Sequence, residues 1–79
     1  MKLNVKLYGT LSRSFENYDH SSGLSVVLPK DASIHDLLVH LDLLSRHLGM
    51  IYMDGRLLNK NSQLKDESQI KIFQPIAGG

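Results

Sequence analysis

Few residues in this 79-residue sequence stand at a spacing that does chemistry. Four histidines, His20, His35, His40 and His47, are the first candidates for a metal. His35 and His40 lie five apart and His40 and His47 seven apart. No pair therefore has the i, i+4 spacing that sets two imidazoles on one helix face, and a solvated face is the expected reading. No metal site is expected. Met50 and Met53 flank Ile51 and Tyr52 in a short apolar run, where thioethers fill a small core more often than they bind a soft metal. There is no cysteine, which excludes disulfides, thiolate metal sites and a cysteine nucleophile. No hydroxyl and base form a convincing nucleophilic pair.

What remains is the run Phe73-Gln74-Pro75-Ile76-Ala77-Gly78-Gly79. Pro75 fixes its own φ and carries no N–H, so the chain is expected to leave any sheet there in an extended direction. Five residues from Pro75 to Gly79 reach at most roughly 17 Å. Glycines lose more freedom on ordering than other residues, and selection for stability alone gives no reason to place two of them together. A backbone without side chains can be gripped closely in a narrow channel. It would bring a carboxylate, ionised at neutral pH because such groups titrate near about 3.5, into another protein's active site. The carboxylate of Gly79 is thus the expected reactive group.

The elements that position this run can be read upstream. Leu3, Val5 and Leu7 alternate with Lys2, Asn4, Lys6 and Tyr8, the period of a half-buried strand, and Gly9 ends it. Thr10 to Phe15 fits a helical turn with Leu11 and Phe15 on one side, and 17–23 reads as a polar loop outside the core. Leu24 to Leu28 is a second strand stopped by Pro29. Ser33-Ile34-His35-Asp36 has the form of a capping box, followed by Ile34, Leu37, Leu38, Leu41, Leu44 and Leu48 on one helical stripe, with Gly49 as its stop. Met50 to Met53 and Arg56 to Leu58 form a hairpin across Asp54-Gly55, read only as a turn. Lys65-Asp66-Glu67 reads as a solvated loop, and Ile70 to Gln74 is the last strand. The expected architecture is α+β, a mixed sheet covered on one face by one main helix: a β-grasp, or ubiquitin-like, domain over 1–74, with 75–79 as a flexible Gly-Gly tail.

Composition agrees with a single small domain. Apolar residues make up 42% of the chain and prolines number two, so it is expected to fold. Nine basic against eight acidic side chains, spread without blocks, give no face for a phosphate backbone, and nucleic acid is not an expected partner. No apolar run approaches membrane-spanning length, so no membrane partner is expected. The absence of cysteine makes the cytoplasm the default compartment.

The stretches "DGRLLN", "LKDESQIKIFQP" and "FQPIAGG" on this frame resemble the MoaD/ThiS family of ubiquitin-like sulfur carriers over essentially the whole chain. The resemblance implies a protein cosubstrate that is no enzyme when alone and binds no cofactor itself. An adenylating, E1-like activating enzyme would use ATP to activate the Gly79 carboxylate. A sulfurtransferase would supply sulfur to form a thiocarboxylate, and the acceptor would be a molybdopterin synthase large subunit or a thiazole synthase. "VKLYGTLSRSF" and the chain length point toward molybdopterin synthesis, while Phe-Gln before Ile-Ala-Gly-Gly is similar to thiazole carriers. A ubiquitin-like modifier would use the same acyl group. Pro75, Ile76, Ala77 and Gly78 would then be partner-binding. So would Phe73 and Tyr8, both outward by strand parity and joined by Tyr52 or Leu58, as an exposed docking patch beside the tail.

Overall fold

The computed structural model describes residues 1–16, 18–44, 48–59 and 62–75. Strand β1, Lys2–Leu7, buries Leu3, Val5 and Leu7 as its alternation requires. A 3₁₀ turn over Gly9–Ser14 follows, then β2, Leu24–Val27, helix α1, Ile34–His40, the hairpin of β3, Ile51–Met53, and β4, Arg56–Leu57, and finally β5, Ser68–Ile72. The strands form one sheet in the order β2-β1-β5-β3-β4. β1 and β5 are parallel, with Val5 opposite Ile70 and Leu7 opposite Ile72; the other neighbours are antiparallel. This is the expected mixed sheet with one helix.

The register decides which face is buried. Leu3, Val5 and Leu7 of β1, Ile70 and Ile72 of β5 and Met53 of β3 share the face that meets Ile34, Leu37 and Leu41. Lys2, Asn4, Lys6, Gln69, Lys71 and Tyr52 share the other. Deep burial of aliphatic side chains, at roughly 25 cal/mol per Å² of apolar surface, is what holds a chain of this size together.

Several local features differ from the sequence reading. Helix α1 begins as expected: the Ser33 hydroxyl accepts from the Asp36 N–H (3.3 Å) and the Asp36 carboxylate accepts from the Ser33 N–H (2.9 Å), a reciprocal capping box. It ends well before Gly49, however. Asp42 takes positive φ (58°), the Leu43 N–H returns to the Leu38 carbonyl and the Asp42 N–H to the Val39 carbonyl, the pattern of a Schellman cap. The stripe is broken in consequence: Leu43 is 0% exposed and Leu44 49% exposed. Met53 is buried but Met50 is 44% exposed, and the Tyr52 hydroxyl lies 3.4 Å from its sulfur. His47 lies outside the described residues.

Three polar stretches do more than close turns. The Tyr18 hydroxyl accepts from the Leu7 N–H (2.8 Å) and donates to the Leu7 carbonyl (3.4 Å), so the loop that carries Tyr18 caps the end of β1 and packs Tyr18 on the core. Asp54 and Gly55 adopt positive φ as the hairpin demands, and the Asp54 carboxylate also accepts from the Gln69 N–H (2.9 Å). The Asp66 carboxylate accepts from the Lys2 N–H (2.7 Å), tying the last loop to the start of β1. No helix among the described residues is long and apolar enough to cross a membrane.

Candidate functional site

The candidate site is the root of the tail. Past the end of β5 the pairing continues on both sides of Phe73. The Tyr8 N–H reaches the Ile72 carbonyl (2.9 Å), the Phe73 N–H reaches the Met50 carbonyl (3.0 Å), and the Gly49 N–H reaches the Phe73 carbonyl (2.8 Å). Phe73 is therefore a backbone-fixed residue between β1 and β3, placed on the open face by the parity it shares with Lys71.

Its ring is stacked on Tyr8 with centroids 4.5 Å apart and planes 14° from parallel, and Tyr52 meets it edge-on at 5.8 Å. His20 stands edge-on to the other side of Tyr8 at 4.8 Å, its Nδ1 3.4 Å from the Tyr18 hydroxyl. Phe73, Tyr8 and Tyr52 are each half-buried, and none belongs to the core under the helix. The cluster is thus a four-ring ledge, with the rings covering one another. The sequence placed Phe73 and Tyr8 on this face and offered Tyr52 or Leu58 beside them; Tyr52 is the one that joins. Leu58 is not part of it, since it packs against the core instead. His20 had no signal, because a loop residue's partner across the sheet end is not encoded in strand parity.

Gln74 is held next. Its side-chain oxygen accepts from both the Thr10 N–H (2.7 Å) and the Thr10 hydroxyl (2.9 Å). The side chain lies directly over Gly9, where an added Cβ would collide with it, and Gly9 has positive φ (69°). On the other side, a Cβ on Gly49 would meet the Gln74 carbonyl oxygen. Gly49 is therefore a point of close backbone approach rather than the helix stop the sequence suggested. Pro75 is exposed beyond this point. Ile76, Ala77, Gly78 and Gly79 lie outside the described residues.

Two lysines lie on the same face as the ledge. Lys6 and Lys71 are register partners on the open face, one residue pair below Tyr8 and Phe73. Among the described residues no group of three or more His, Asp or Glu side chains comes together to hold a metal. What the arrangement offers is an aromatic ledge on the open face, a strand end fixed by backbone and side-chain bonds, and an exposed Pro75.

A mixed five-stranded sheet with one helix packed on one face defines a ubiquitin-like β-grasp protein. Over residues 5–79 the chain matches the ThiS family, and it belongs to that family of small sulfur carriers. No curated protein matches it by sequence. Among solved structures it is similar to a putative molybdopterin converting factor subunit 1 from Pyrococcus furiosus (TM-score 0.73, 19% identity, 95% of this chain and 98% of that one). It is also similar to SAMP1 from Haloferax volcanii (TM-score 0.70, 19% identity, both chains covered fully). A third likeness is to the complex of subunits 1 and 2 of the molybdopterin-converting factor from Helicobacter pylori (TM-score 0.61, 19% identity, 100% of each chain). At these identities the likeness establishes the β-grasp fold.

Proposed function

We propose that the chain carries sulfur on the carboxylate of Gly79 for molybdopterin synthesis. The observation that carries this reading is the family match running through Gly79 on a frame whose last strand is fixed up to Gln74 and followed by an exposed Pro75. Support for the pathway comes from two fold relatives described as molybdopterin converting factor subunits, one of them in complex with its second subunit.

The chemistry needs activation, because a carboxylate is a poor electrophile with oxide as leaving group. An E1-like adenylating enzyme would supply ATP. A Gly79 carboxylate oxygen attacks the α-phosphorus and pyrophosphate leaves, giving the acyl-adenylate. The terminal sulfur of a sulfurtransferase persulfide then attacks the acyl carbon and AMP leaves. A thiol cleaves the resulting acyl disulfide, reforming a protein disulfide and releasing the thiocarboxylate. The sulfur nucleophile must come from a partner, since this chain has no cysteine. The carrier contributes position: Phe73, Tyr8 and Tyr52 form the docking ledge, Lys6 and Lys71 favour an acidic rim on the partner, and Pro75, Ile76, Ala77 and Gly78 enter its channel.

Incubation with the adenylating enzyme, ATP and a persulfide donor is expected to add the mass difference between sulfur and oxygen, located on Gly79 by fragmentation. Deleting Gly79, appending one residue after it, or replacing Gly78 by Ile should each abolish the gain. Equal sulfur loading of the extended or truncated chain would rule the reading out. The loaded chain should then hand sulfur to a molybdopterin synthase large subunit. Transfer to a thiazole synthase instead would assign the thiamine route, and a stable isopeptide to lysine would assign a modifier.

A further inference from the structure

We infer that Gln74 is a positioning residue for the tail, locked by Thr10 and Gly9 on its side-chain side and by Gly49 on its backbone side so that Pro75 leaves the sheet in one direction. The inference rests on the carrier reading of Gly79 and says how the folded part serves it. Three observations converge on one residue. The Gln74 amide oxygen takes two hydrogen bonds from Thr10, one from its N–H and one from its hydroxyl. Gly9 has no side chain at the place where the Gln74 side chain lies. Gly49 has none where the Gln74 carbonyl passes, and its own N–H holds the Phe73 carbonyl one residue earlier.

Each contact joins segments far apart in the chain, the Thr10 bonds spanning 64 residues. Nothing about the core requires them, because Gln74 is exposed and the last strand ends at Ile72. A glutamine whose oxygen is doubly bonded on a solvent-exposed surface, over a glycine that leaves room for it, fixes direction rather than adding burial. Direction matters here because the reactive carboxylate is several bonds away: a small angular error at Gln74 becomes a displacement of ångströms at Gly79. Misplacement on the order of 1 Å can cost about a hundredfold in rate. The ledge of Phe73, Tyr8 and Tyr52 would supply docking affinity, and the Gln74 lock would set the fraction of docked complexes whose tail enters the channel.

The test is steady-state sulfur loading of the full chain by its adenylating enzyme, ATP and a persulfide donor, with Gln74→Leu, Thr10→Val, Thr10→Ser and the double variant Thr10→Val/Gln74→Leu. Expected are a kcat lower by about tenfold for Gln74→Leu with KM little changed, a loss of a few-fold for Thr10→Val, and recovery in Thr10→Ser, which keeps the hydroxyl. Thr10→Val should add nothing in the Gln74→Leu background. A rise in KM alone, independent multiplying losses, or full activity of Gln74→Leu would overturn the inference. Backbone ¹⁵N relaxation decides the lock without any enzyme: the Gln74 amide should be as rigid as Ile72 in the natural chain and more mobile in Gln74→Leu. An unchanged Gln74 amide in the variant would overturn it as well. If the natural chain takes no sulfur, the carrier reading of Gly79 fails, and the relaxation result alone decides the lock.

Discussion

Phe73 is the residue at which the sheet end and the aromatic ledge meet. Its backbone N–H and carbonyl both pair with the Gly49-Met50 segment that leads into β3, while its ring is stacked on Tyr8 outside the core. Replacing it with glutamate removes the ring pair, worth about 0.5–1.5 kcal/mol beyond area burial, but leaves both backbone bonds. Phe73→Glu should therefore melt only slightly below the natural chain while binding to the adenylating enzyme and to the acceptor subunit falls; a pull-down or titration reads the second effect, a thermal melt the first. A loss of stability as large as that of a core leucine truncation would return Phe73 to the core. Gly49 is the converse case. Its Cβ would meet backbone atoms of Gln74 and Phe73, which cannot swing aside as a side chain end does. Gly49→Ala is expected to cost about 1–3 kcal/mol, the range for overpacking, although neither composition nor helix propensity gives alanine a penalty there.

At the scale of the element, helix α1 is short, and its two ends decide what it buries. The Schellman cap at Asp42 swings Leu43 under the sheet and turns Leu44 to solvent. Leu43→Ala should cost about 2–5 kcal/mol in denaturant unfolding, the range for buried leucine truncation. Leu44→Ala should stay within about 0.5 kcal/mol. Equal costs would mean that the helix continues past Leu41. At the other end, hydrogen bonds from the Ser33 N–H and hydroxyl hold the Asp36 carboxyl below the usual carboxylate range. A depressed folded-state pKa contributes stability that is present above the ordinary carboxylate range and is lost as pH falls through the lowered value. The stability difference between the natural chain and Asp36→Asn should accordingly be present at neutral pH and shrink in acid. A difference independent of pH would show that the capping is not carried by the charge.

Over the whole molecule, labour is divided between the two faces of one sheet: the helix face carries the core, and the open face carries the ring ledge and the Lys6–Lys71 pair beside the departing chain. Every buried apolar residue among those described lies between Leu3 and Ile72. Deleting 76–79 should therefore leave the melting temperature unchanged and abolish sulfur loading, measured in parallel on the same preparation. The sequence by itself determined the strands, the capping box, the Asp54-Gly55 hairpin and the outward parity of Tyr8 and Phe73, because alternation, caps and turns are local and repeat every two to four residues. Its expectation for the Gly-Gly run concerns residues outside the described ones, and sulfur loading decides it. Where helix α1 stops was not legible, because Leu44 and Leu48 continue the helical spacing past an aspartate that takes a left-handed conformation only when Leu43 has a core to enter. Nor were the Gln74 lock, the closeness of Gly49 to the tail root, and the packing of His20 on Tyr8. The first two join segments that meet only once β5 lies parallel to β1 between β1 and β3, and the third joins the end of β1 to a loop residue twelve positions on. Such contacts depend on distance in space, and nothing in the spacing of residues along a chain records them.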